Sequence, residues 1–78
     1  MTPVEAEQRI TLSRRTLFMF LAMQAAGEGP SSDNLALITD EISVLESVGE
    51  RHPGHVGKLV KLVSEWVAFR NGLKARLH

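Results

Sequence analysis

Two short breaks rich in glycine and proline, GEGPSSD (27–33) and RHPG (51–54), cut this chain into three stretches that carry no proline after Pro3. Each stretch is long enough for several helical turns, and none alternates strictly between apolar and polar residues as a half-buried strand would. The pattern therefore predicts helices over 3–26, 32–48 and 53–77. Thr2 is a natural N-cap, Pro3 suits the first helical position, and Glu5 falls where the helix dipole favours an acid. Gly49 is expected to end the second helix and Pro53 to open the third. Connections this short place successive helices antiparallel. The expected fold is all-α, a single domain over residues 1–78 arranged as a three-helix antiparallel bundle.

A chain of 78 residues has a thin core, and small domains commonly rely on a disulfide, a metal or a second subunit. There is no cysteine, which removes disulfides and thiolate metal sites. Exceptional helix packing or self-association is left.

At 100° per residue, Ile10, Leu17, Phe18, Leu21 and Ala25 share one side of the first helix, while Leu12, Met19 and Met23 form a second stripe. The second helix groups Leu35, Ile38, Ile42 and Leu45, widened by Leu37, Val44 and Val48. In the third, Leu59, Leu62, Val63, Phe69, Leu73 and Leu77 surround Trp66, with Val56, Val60 and Val67 on one flank. An inward-packing helix shows an apolar arc of about 100° or a little more, and the first and third exceed it. The surplus is expected to lie at an interface, most simply that of a homodimer.

The formal net charge is zero, which argues against a general binder of nucleic acid or membrane surfaces. The charges are nevertheless segregated. Residues 28–51 hold six acids and one base, whereas 52–78 hold five bases and a single acid, Glu65. Such segments attract each other within a chain or between copies. Glu5 and Glu7 precede any apolar run, and the longest run, LFMFLAM (17–23), is far short of a bilayer span, so neither a secretion leader nor a membrane span is expected and the location expected is cytoplasmic.

His52 and His55 are the first residues to weigh as metal ligands. A zinc site needs three or four ligands, and the remaining histidine is His78 at the far end of the chain, so no metal is expected. His52 is read instead as a cap of the third helix, with His55 in its first turn. GHVGK (54–58) lacks the length, the preceding strand and the Ser/Thr of a phosphate loop, and no cofactor is expected. Arg70 points into the apolar sector between Val63 and Trp66, and Glu41 lies similarly on the second helix. The hairpin register sets them about a dozen ångströms apart. Arg70 is then expected to bond the start of the second helix, to snorkel, or to anchor an interface between copies.

No nucleophile–base set is visible, so the chain is not expected to be an enzyme. A DNA-binding regulator using the basic third helix is the alternative, but that helix is the most apolar of the three. The expectation is a protein-interaction module (an inhibitor, adaptor or antitoxin-like regulator) whose partner or dimer interface draws on Leu12, Met19, Met23, Val56, Val60, Val67 and Arg70.

Overall fold

A computed structural model describes residues 1–29 and 31–76, and among them lie three α-helices and no strand. α1 spans Pro3–Ala25, α2 spans Asn34–Arg51 and α3 spans Val56–Arg76, with a single 3-10 turn at Pro53–His55 leading into α3. Pro30, Leu77 and His78 lie outside the described residues, and with them the expected end of the third helix at 77.

α1 is bounded at both ends by local chemistry. Thr2 and Glu5 form a reciprocal capping box: Glu5 N–H donates to Thr2 Oγ1 at 3.2 Å and Thr2 N–H donates to Glu5 Oε1 at 3.0 Å. At the other end Gly27 takes φ 78°, a left-handed conformation open to a residue without Cβ. Glu28 N–H then reaches Met23 O at 2.9 Å and Gly27 N–H reaches Gln24 O at 3.1 Å, the paired bonds of a Schellman stop.

The boundaries of α2 differ from the expected 32–48. Asp33 makes no side-chain cap; Asn34 Oδ1 instead accepts from the Ser31 N–H at 3.0 Å, and the chain turns through i→i+3 bonds before the helix begins at Asn34. Gly49 does not end the helix. It sits inside it without positive φ, and α2 continues to Arg51. The stop comes from Pro53, whose ring drives the preceding residue out of the helical region, and His52 sits at φ −130°, ψ 73°. Pro53 in turn opens the 3-10 turn rather than the α-helix, so α3 starts at Val56.

Packing follows three heptad-like seams. On α1, Ala6, Ile10, Ser13, Leu17, Phe20 and Gln24 recur at alternating steps of four and three, and the first four of them are fully buried. α2 contributes Ile38, Ile42, Leu45 and Val48, and α3 contributes Leu59, Leu62, Trp66, Phe69 and Leu73. These side chains form one core, joined at its margin by Phe20, Leu35, Val63 and Val67. Contacts between α1 and α3 climb in step: Pro3 with His55, Glu7 with Lys58, Ser13 with Trp66. Those with α2 run in opposite order, with Met1 beside Val48 and Arg9 beside Glu41.

Three of the residues grouped with Ile10 and Leu17 on one side of α1, namely Phe18, Leu21 and Ala25, stand exposed. Phe18 is 64% exposed and Leu21 is more than a third exposed, because α1 turns its Ala6–Ser13–Phe20 line inward. Phe20, 200° further round the helix than Phe18, takes the inner place. It meets Trp66 edge-on and stacks on Phe69, both at 6.0 Å between ring centroids.

The two glycines make opposite predictions. A Cβ at Gly49 would lie 3.5 Å from Leu59 Cδ1, an ordinary contact, so Gly49→Ala should stabilise the fold by about 0.5–1 kcal/mol in urea denaturation. Gly27→Ala should cost about 1 kcal/mol, because its positive φ strains any side chain.

Candidate interaction surfaces

The orientation of α1 decides what the surface offers, and two polar contacts fix it. The indole Nε1–H of Trp66 donates to Ser13 Oγ at 2.9 Å, with both residues fully buried. Among the described residues Ser13 is the one polar residue that is fully buried, and losing it would leave the indole donor unpaired in the core. One turn earlier the Arg9 guanidinium forms a two-point pair with the Glu41 carboxylate, Nη1 to Oε2 at 2.8 Å and Nη2 to Oε1. Burial pushes the Glu41 carboxyl upward, but hydrogen bonds from Arg9 and the Ser13 hydroxyl outweigh it and hold the group below its ordinary value. Glu41 therefore pairs within the chain with α1, not with Arg70.

A second set of contacts ties the start of α1 to the start of α3. Glu7 accepts from Lys58 Nζ at 2.7 Å, which holds its carboxyl low, and His55 Nε2 lies 3.3 Å from the Pro3 carbonyl and 3.8 Å from Glu7. His55 thus serves the α1–α3 junction. His52 stacks beside it at 6.2 Å between ring centroids and makes no side-chain cap. Among the described residues no group of three or more His, Cys, Asp or Glu is placed to hold a metal ion. Nor is any helix there long and apolar enough to cross a membrane.

With α1 held this way, the residues singled out from the sequence fall on two faces. Leu12 and Met19 stand 58% and 55% exposed on the side of α1 next to α2, with Met23 half-buried below them. Leu37, 61% exposed, and Val44 project from the flank of α2 that carries Glu41. By angle alone these two extend the core face of α2. Their exposure follows from α2 turning Ile38 and Leu45 inward, which carries Leu37 and Val44 about 100° away.

The other face is the groove between α2 and α3. It has a volume of about 470 Å³, with Val56, Val60 and Val63 along one wall and Glu46 and Glu50 along the other. Gly49 lies between the walls. Val60 is 60% exposed, while Val67, further along α3, is half-buried. Arg70 is also half-buried, and its Nε has no hydrogen-bond partner among the described residues, so the expected bond to the start of α2 is not made through that atom. Phe18 marks a smaller pocket between α1 and α3, lined also by Arg14, Lys61 and Glu65.

No protein-family model, curated protein or solved structure matches the chain.

The Arg9–Glu41 pair gives a pH dependence. A carboxylate whose folded pKa is lowered contributes its stability above the unfolded value, near 4.3, and loses it as pH falls through the lower folded one. Glu41→Gln should cost about 1–2 kcal/mol at neutral pH and flatten the fall in stability below about pH 5, as read by urea denaturation at stepped pH. Some acid slope will persist, since Glu5 and Glu7 are also held low.

Proposed function

We propose that this chain is a non-enzymatic protein-interaction module, an antiparallel three-helix bundle that pairs with itself and modulates a second protein as an inhibitor, adaptor or antitoxin-like regulator. The observation that carries the reading is the apolar surface left outside a completed core. Leu12, Met19, Leu37 and Val44 are all exposed, although among the described residues twelve apolar side chains are already buried in the core. Isolated exposed leucines are unremarkable, but exposed apolar side chains on adjoining flanks of two helices form the kind of strip that accepts an amphipathic helix. Met19 and Met23 suit such a role, because unbranched thioether chains adapt to a partner's shape.

In this reading the partner lays an apolar helix face along the α1–α2 strip, and its activity changes because that face is no longer free. The alternative, a DNA-binding regulator using the bases of α3, has less support. Lys58 is committed to Glu7, and Glu65 shares a pocket lining with Lys61.

Met19→Glu tests the reading. Met19 is more than half exposed, so helicity and thermal stability should be retained while partner affinity falls by about 2 kcal/mol or more. The comparison is affinity capture from the native cell with wild-type and variant baits, followed by titration of the captured protein. A variant that captures the same protein with unchanged affinity contradicts the reading, and so does one that unfolds.

A further inference from the structure

α3 carries a second seam beside the one that faces the core. Val56, Val60, Val63, Val67, Arg70 and Lys74 follow one another at steps of four, three, four, three and four, the spacing of a coiled-coil contact line. Four β-branched residues are followed by two cations. Of the valines, Val56 and Val60 are exposed and Val63 and Val67 half-buried, so the line runs along the lip of the core rather than within it.

Charge divides the groove beside this seam into unlike halves. At the Val56 end, Glu46 and Glu50 of α2 form the opposite wall. Leu35 and Thr39, earlier on the same flank of α2, are uncharged, and among the described residues no ion pair joins Arg70 or Lys74 to Asp33 at the start of α2. These cations cannot reach Glu46 or Glu50 within one chain: Val56 and Arg70 are fourteen residues apart on α3, about 21 Å. Arg70 meanwhile keeps a buried Nε without a hydrogen-bond partner among the described residues.

A surface with an apolar middle, an acidic end and a basic end is complementary to itself after a half-turn. We infer that a second copy of this chain is the occupant of the α2–α3 groove, packed antiparallel about a twofold axis near Val63. This rests on the reading of the chain as an interaction module and locates its self-pairing. Val63 then meets its own copy, Val60 meets the second copy's Val67, and the second copy's Arg70 comes to the Val56 end. There its stem lies on Val56 and Val60 while its guanidinium reaches the Glu46–Glu50 wall, and the same junction repeats at the other end. The homodimer interface belongs to α2 and α3, and the α1–α2 strip stays free for another protein.

The test is sedimentation equilibrium on the full chain, with circular dichroism to confirm folding. Wild type should dimerise, and Val60→Glu should raise the dimer dissociation constant at least about a hundredfold with helicity intact. Arg70→Glu alone, and Glu46→Arg combined with Glu50→Arg, should each weaken self-pairing by about tenfold or more, since each puts like charges at both junctions. An equimolar mixture of those two variants should pair as tightly as wild type, because both junctions of the mixed dimer again join opposite charges. A monomeric wild type, a Val60→Glu variant that still pairs, or a mixture without recovery overturns the inference. Met19→Glu should leave the dimer unchanged, so a failure here is separable from a failure of the partner-binding strip.

Discussion

The buried contact between Trp66 and Ser13 is the constraint on which the surface depends. A large indole at the centre of α3 must bury its ring and also satisfy its N–H. Ser13 supplies the acceptor from α1, and Phe20 and Phe69 close over the ring. A heptad seam that places serine opposite tryptophan sets the rotation of α1 within a narrow range. Arg9 and Glu41 set it a second time from the side of α2. With that rotation fixed, Leu12, Phe18 and Met19 have no place in the core, and their exposure follows from the polar chemistry beneath them.

Much of this was legible in the sequence. The capping box at Thr2 and Glu5, the break at Gly27, the central place of Trp66 and the apolar faces of α2 and α3 are all written in residue type and spacing. What the sequence concealed has a common cause. Ser13 sits in the α1 seam but is polar, so an apolar count passes over it and drifts towards Phe18. Read by step instead, the series Ala6, Ile10, Ser13, Leu17 and Phe20 would have found the inner line. Gly49 misled in a similar way, since glycine commonly marks a helix end, whereas the break here belongs to Pro53 acting on His52.

The candidate surfaces were half legible. Leu12, Met19, Val56 and Val60 stand exposed, as a surplus over the needs of one core suggested. Leu37 and Val44 lie about 100° from Ile38 and Leu45 but within about 40° of Val48, which is buried, so angle alone does not separate them from the core and the position of α1 decides the matter. Glu41 shows the same limit. Its place on an apolar face marked it for a partner, but whether that partner lay on α1 or α3 depends on helix rotation, which one sequence does not encode locally. The charges divide accordingly: Glu7–Lys58 and Arg9–Glu41 pair within the chain, while among the described residues Glu46, Glu50 and Arg70 make no ion pair.

The rotation of α1 is the central claim, and the absence of native cysteine makes it directly measurable. Single substitutions Leu12→Cys, Met19→Cys, Ser13→Cys and Leu17→Cys, each labelled with a thiol reagent in dilute native protein, report which side of α1 meets water. The account predicts that cysteines at 12 and 19 react nearly as fast as in urea, and that those at 13 and 17 are slowed by about a hundredfold or more, in keeping with the free energy of opening the core. Fast labelling at 13 together with protection at 12 and 19 would mean that α1 packs by its Leu12–Met19 stripe, and the surface described above would not exist.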